Sequence, residues 1–377
     1  MNLRRAVAVA RKETIHVMRD PRALGISIAL PLVLLLLFGY ALTLDVDNVP
    51  LVVWDQSNTP QSRDLVSRFA DSPYFSLKEM VGNYQDVETE IDEGGALMAL
   101  VVPVEFSRDV ASGRGAEVQL IADGSDANTA SIAIGYAEAI VQTYSQNARV
   151  ALARRTLGRG LSAPLDVRPR VWFNTEMESK NFIVPGLIAV IMMLIAALLT
   201  SLTVAKEWET GTMEQLISTP VRGNELILGK LAPYFVIGMV DMLLSVLAGR
   251  FLFGVPLRGS VVLLFALTAF YLLGSLGLGM LISIVAKNQL LANQLAFMTT
   301  FLPAFLLSGF MFDISNMPRP LQLVTYLVPA RYCVNLLRGL YLKGVGPSVL
   351  WSEGVFLLLF AAATIALSLK KFKKRLA

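Results

Sequence analysis

Six long stretches of this chain are almost free of charge, and about 20 consecutive apolar residues suffice to cross a bilayer core as a helix. Ala23 to Leu44 is uncharged and contains LPLVLLLLFGYALTL, and Phe182 to Ala205 is a second such stretch. Leu231 to Gly249 is broken only by Asp241, while Gly259 to Ala286 and Asn288 to Phe312 are parted by the single charge Lys287. Gly354 to Leu369 reaches spanning length when Leu350 and Trp351 are added. The pattern predicts six transmembrane helices, one at 23–44 and five within 182–369. The first follows basic residues, as a signal sequence does. Its apolar run exceeds the roughly 7 to 15 residues of a signal h-region and no Ala-x-Ala site follows, so it is expected to be retained.

Between the first two stretches, residues 45–181 read as a folded domain. LVVWD (Leu51 to Asp55), ALMALVVP (Ala96 to Pro103) and EVQLIADG (Glu117 to Gly124) have strand character and are bounded by Gly, Pro or Asp. TPQSRDLVSRFA offers a helix with Thr59 as N-cap and a proline next to it. Thr129 to Arg155 predicts one long helix, followed by an extended return, DVRPRVWF. Strands alternating with helices imply an α/β layer domain. DGSDANT (Asp123 to Thr129) has an acidic, calcium-like look but lacks the spacing and final Glu of an EF-hand, and is read as a capped turn.

Residues 1–22 predict an amphipathic helix. At 100° per residue Arg4, Arg5, Arg11, Lys12, Arg19 and Arg22 share an arc of about 120°, and Leu3, Ala6, Val7, Ala10, Val17 and Met18 share another, with Glu13 and Ile15 interrupting the pattern. Such a helix lies in a membrane interface, its cations among phosphates. Asp20-Pro21 makes an elbow before the first span, because the residue preceding a proline is steered away from helix.

Composition narrows the class. Of 377 residues, 54% are apolar and 16% charged, against about 25% charged in soluble domains; mean hydropathy is +0.57. These figures exclude a disordered, collagen-like or ordinary cytosolic protein. A single cysteine, Cys333, excludes an intrachain disulfide and a cysteine-rich zinc cluster, and a single histidine, His16, argues against His-based metal sites. Residues 45–181 hold 12 basic and 20 acidic residues, a net of −8, while the remainder nets +12. Basic residues crowd the N-terminus and the tail at 370–377, so both termini are expected to be cytoplasmic and 45–181 external. The pI of 9.1 records that bias and no affinity for nucleic acid.

The segment between spans two and three then falls in the cytoplasm. Glu207, Glu209 and Glu214 surround apolar Trp208, Met213, Leu216 and Ile217; Gly211-Thr212 offers a turn and N-cap, with Gln215 completing a capping-box pattern, and Thr219-Pro220 ends the helix. Three glutamates would be repelled by anionic headgroups, so this short helix reads as a docking element for another protein.

In three places the chain resembles the integral-membrane subunits of type-2 ATP-binding-cassette (ABC) exporters: R-K-E…R-D-P-R (Arg11 to Glu13, Arg19 to Arg22), K-E-W-E-x-G-T-M-E-Q-L-x-x-T-P (Lys206 to Pro220), and SGFMFDISNMPRPLQLVTYLVPARYCVNLLRGLYLKG (Ser308 to Gly344). It looks most like the multidrug-efflux permeases of bacterial inner membranes, which carry a large external domain between spans one and two. The resemblance implies an interfacial elbow with Arg11, Lys12, Arg19 and Arg22. It implies a coupling helix at 206–220 seated in an ATPase cleft, with Lys206, Glu207, Trp208, Glu209, Gly211, Thr212, Met213, Glu214, Gln215, Thr219 and Pro220 as coupling residues. It further implies a re-entrant external hairpin at 313–344, in which Pro318, Pro320 and Pro329 interrupt short helices. Asp241, Pro303, Asp313 and Arg331 are the candidate pathway residues.

No G-x-x-x-x-G-K-[ST] loop occurs in the sequence, so ATP and magnesium are expected on separate ATPase subunits, two copies of them, with no cofactor on this chain. The other partners implied are a second permease copy or a paralogue, a periplasmic membrane-fusion adaptor, and lipids. The expected function is export of a drug-like, lipidic or other amphiphilic substrate by a non-enzymatic subunit. A secondary transporter would need its own ion-coupling site; only Asp241 lies well inside a span, and no inverted repeat is visible. A sensor would not explain a re-entrant hairpin.

Overall fold

The computed structural model describes residues 2–41, 46–113, 115–157, 172–174 and 178–372. In chain order the elements are α1 (Leu3–Met18), α2 (Pro21–Ala41), β1 (Val49–Asp55), α3 (Pro60–Ala70), β2 (Phe75–Met80), α4 (Tyr84–Asp92), β3 (Met98–Val102), α5 (Phe106–Ser112), β4 (Gln119–Ala122), α6 (Ala127–Leu157), α7 (Ser179–Glu209), α8 (Thr212–Ser218), α9 (Gly223–Phe251), α10 (Val261–Ala286), α11 (Gln289–Leu307), α12 (Arg319–Thr325), α13 (Pro329–Arg338) and α14 (Pro347–Lys371). They form two compact units, residues 1–43 with 171–377, and residues 44–170.

The first unit is built round α7, which is apolar on every side and buried from Ile183 to Ala197, as a helix in the middle of a bundle must be. Helices α2, α9, α10, α11 and α13 pack on it, and α14 packs on α10. Hydroxyls join the helices: Tyr271 of α10 donates to the Ala189 carbonyl (2.8 Å), Thr200 of α7 to Leu276 (2.8 Å), and Thr364 and Ser368 of α14 to Gly274 and Gly277 (3.1 Å each). Such bonds contribute about 0.6 kcal/mol apiece between helices in lipid. Among the described residues α7, α9, α10, α11 and α14 are long and apolar enough to span a membrane. The expected first span coincides with α2, whose described apolar stretch is Ser27–Ala41; residues 42–44 of that expectation lie outside the described residues.

The hairpin expected at 313–344 is a 3-10 turn (Ile314–Asn316), α12, α13 and a π-type turn (Gly339–Lys343). Its prolines do not interrupt helices. Pro318 is the N-cap of α12, Pro320 lies in that helix's first turn, and Pro329 opens α13. A proline there forfeits no helical hydrogen bond, since those N–H groups have no intrahelical partner.

The second unit holds a four-stranded sheet in the order β2-β1-β3-β4, with β1 parallel to β2 and β3, and β4 antiparallel to β3. Alternate residues separate its faces. Val49, Leu51, Val53, Met98, Leu100 and Val102 pack with Leu65 and Phe69 of α3 and Ala133, Ala137 and Tyr144 of α6. Val52 and Ala99 pack on the other face with Val87 of α4. Thr59 caps α3 as the sequence predicts, exchanging bonds with Ser62. β2, α4 and α5 were not among the expected elements. Of the extended return DVRPRVWF only Trp172 and Phe173 are described, and of the basic tail residues 373–377 lie outside the described residues.

Candidate coupling site

Lys206 to Glu209 are the last turn of α7, so the helix expected at 206–220 is really two: the α7 end and the short α8. Between them Gly211 takes φ +70°, a left-handed conformation that glycine alone adopts without a Cβ penalty. Gly211 is therefore the N-cap of α8 and Thr212 its first residue, which corrects the expected Thr212–Gln215 capping box. An N-capping side chain needs extended backbone at its own residue, and here Gly211 makes the turn. Thr212 places its hydroxyl 3.0 Å from that of Thr210, which donates to the Lys206 carbonyl (2.8 Å). Met213 is the buried anchor of α8, while Glu214, Gln215 and Ser218 are exposed. Thr219 ends the helix by donating to the Leu216 carbonyl (2.7 Å), and the Pro220 carbonyl accepts from Arg5 of α1 (2.6 Å). The α8 segment is thus tied back to the elbow helix.

The three glutamates expected to surround the apolar residues of this segment have three different fates. Glu214 is exposed. Glu209 accepts from the backbone N–H of Gln289 (2.9 Å) at the start of α11, beside Trp208, whose ring lies 4.8 Å from the Lys287 ammonium. Glu207 turns inward. It is 8% exposed and its Oε1 lies 2.9 Å from Lys230 Nζ of α9 and 3.6 Å from Lys12 Nζ of α1; its Oε2 is buried with no hydrogen-bond partner. Glu207, expected as a coupling residue, is therefore buried among helix ends and not exposed.

Lys230, 1% exposed, also reaches Glu13 Oε2 of α1 (3.2 Å), and the Tyr234 hydroxyl donates to Glu13 Oε1 (3.1 Å). Glu13, the apparent flaw in the amphipathic pattern, is the polar centre of the face that α1 turns to α9. Ala6 and Val9 share that buried face, whereas Leu3, Val7 and Met18 of the expected apolar arc stay exposed with Arg4, Arg11, Lys12 and Arg19. A helical wheel registers polarity but not which neighbour each face meets. Here α9 supplies the matching charge at Lys230 and a close crossing at Gly229. A Cβ on Gly229 would lie 2.8 Å from the Ala6 carbonyl oxygen. The side chain of Arg22 lies outside the described residues. The R-K-E and K-E-W-E motifs, far apart in the chain, thus meet through Lys12, Glu13 and Glu207 at a lysine that sequence reasoning missed.

A family model described as ABC-2 family transporter protein matches residues 22–370. The chain belongs to the ABC-2 transporter family. This permease is similar, at 39% identity over 377 residues covering 100% of this chain and 98% of the relative, to the probable multidrug ABC transporter permease YbhS of Escherichia coli strain K12. It is 31% identical over 370 residues, 97% of each chain, to the probable multidrug ABC transporter permease YbhR of the same strain. It is 26% identical over 329 residues, 86% of this chain and 85% of the relative, to the inner membrane transport permease YhhJ, also of that strain. Family and apolar helices together make this ABC-2 permease a multi-pass, α-helical membrane protein.

The permease's four candidate pathway residues lie on separate elements, and no hydrogen bond or ion pair among the described residues joins any two of them. Asp241 is 1% exposed within α9, and neither carboxylate oxygen has a hydrogen-bond partner. Pro303 lies inside α11. Asp313 accepts from the Ser315 N–H (2.9 Å), which holds its carboxyl below the usual carboxylate range. Arg331 stacks 3.9 Å over the Tyr326 ring and donates to the Thr325 hydroxyl. A residue missed by the sequence reading, Arg338 of α13, fastens this region: its guanidinium lies 3.4 Å over the Phe182 ring and donates to the Gly309 carbonyl (2.9 Å).

Proposed function

We propose that this chain is the six-span permease subunit of an ABC exporter. It forms the translocation path and couples ATP hydrolysis on separate ATPase subunits to export of a drug-like, lipidic or other amphiphilic substrate. Residues 45–181 are external in this reading, both termini and α8 are cytoplasmic, and ATP with magnesium resides on the partner. A second permease copy completes the path, and the acidic external domain is a recognition surface for its twin or for a periplasmic adaptor.

The observation that carries the reading is α8. It is a short helix presenting Glu214, Gln215 and Ser218 outward while Met213, Gly211 and the Arg5–Pro220 bond fix its position. A docking element needs such an exposed polar face, here with the single charge of Glu214, on a fastened base. Glu214→Lys would set like charge against a basic partner surface, and such juxtapositions cost several kcal/mol. Glu214→Lys is therefore expected to lose its ABC ATPase during affinity purification while keeping the parent's melting temperature. Co-purification at the parent level would remove α8 from the interface.

A further inference from the structure

We propose that Lys230 is a positioning residue. It locks the elbow helix α1 and the end of α7 onto α9, so that a displacement of α8 moves all three helix ends as one body. The inference rests on the coupling role proposed for α8.

The lock is built from one ammonium and two carboxylates, each on a different helix. Lys230 Nζ lies 2.9 Å from Glu207 of α7 and 3.2 Å from Glu13 of α1. Among the described residues no other cation reaches both acids; Lys12, with a side chain 59% exposed, reaches Glu207 alone at 3.6 Å. Tyr234, one turn further along α9, holds the second oxygen of Glu13. A buried ion pair is poor value as a stabiliser, because the attraction barely offsets the lost hydration and apolar residues of similar volume often do as well. What it does impose is geometry, since a charge left behind by sliding helices would be buried and unpaired.

Gly229, beside Lys230, allows no room for a Cβ against the Ala6 carbonyl and Val9, so α1 and α9 come to close contact one to two turns before Glu13. Glu207 precedes the left-handed turn at Gly211 by one helical turn, so the pivot of α8 lies directly beyond the lock. The Arg5–Pro220 bond is one exposed tie between α1 and the end of the α8 segment, and the buried charges add a second hold.

The test compares the parent with a charge-free variant, Glu13→Gln, Glu207→Gln and Lys230→Met together, which strands no buried charge and so folds. Spin labels are placed at Met18→Cys on α1 and Ser218→Cys on α8, both exposed, while the native Cys333 is buried. Pulsed-EPR distances are read in the permease alone and in its complex with the ABC ATPase, nucleotide-free and trapped with ATP and vanadate. The parent is expected to keep one narrow α1–α8 distance in every state. The variant, at an unchanged melting temperature, is expected to lose that single distance to a broad distribution. A narrow distance retained in the variant, or one that shifts with nucleotide in the parent, would overturn the lock. The measurement on the permease alone judges the lock even if α8 proves not to bind the ATPase, so the two readings fail separately.

Discussion

Asp241 is the side chain whose placement asks most of the protein. Both its oxygens are buried within α9 without a partner, and an acid at that depth costs about 2.5 to 3.5 kcal/mol on insertion scales. The fold encloses it within the protomer, 1% exposed. Buried ionisable groups inside membrane helices persist mainly where function needs them. Asp241→Asn keeps the shape and removes the charge. Thermal unfolding in detergent is therefore expected to rise by a few degrees or stay level, while export from inside-out vesicles falls. Export at the parent rate would take Asp241 out of the pathway. Lys230 shows the opposite economy, a buried charge whose two acids are both in reach, and the sequence hid it for a plain reason. A lysine at the edge of an apolar run reads as an interface anchor, and only the start of α9 at Gly223 reveals that it lies about two turns inside a helix.

Short elements decide how α8 is presented. Gly211 at φ +70° sets its direction, and an L-residue in the left-handed region costs about 1 to 2 kcal/mol. If α8 is the docking element, Gly211→Ala is expected to weaken ATPase binding by about 5- to 30-fold. The melting temperature should hold, because among the described side chains of α8 only Met213 is buried, with Leu216 partly so, and the substitution touches neither. Binding measured by surface-immobilised permease in nanodiscs checks it; unchanged affinity would show that α8 adjusts freely. Elements whose ends carry their own chemistry were legible in the sequence: Thr59-Pro60 opening α3, Asp20-Pro21 between α1 and α2, and the strand runs of β1, β3 and β4. β2 was not, because it is an edge strand with most side chains exposed, and the alternation of Phe75 and Leu77 with Ser76 and Lys78 breaks off at Glu79 after four residues. The α8 cap was misassigned for a related reason. Threonine has the chemistry of a cap, but backbone conformation decides who occupies the position, and Gly211 had already made the turn.

Charge distribution makes a claim about both sides of the bilayer at once. Residues 45–181 net −8 and the rest +12, with lysine and arginine gathered at the helix ends that the positive-inside rule retains in the cytoplasm. Cys333 makes this directly testable, because the chain's single thiol is buried in α13 and the parent offers no exposed background to label. Ser112 at the end of α5 and Ser218 at the end of α8 are both exposed, one in each compact unit. In intact spheroplasts a membrane-impermeant maleimide is expected to label Ser112→Cys and to leave Ser218→Cys untouched until the membrane is opened. The parent should stay unlabelled throughout, since a thiol closed off from solvent does not react. Labelling of Ser218→Cys from outside would reverse the orientation. It would also set α8 across the membrane from any ATP, and the coupling function would fall with it.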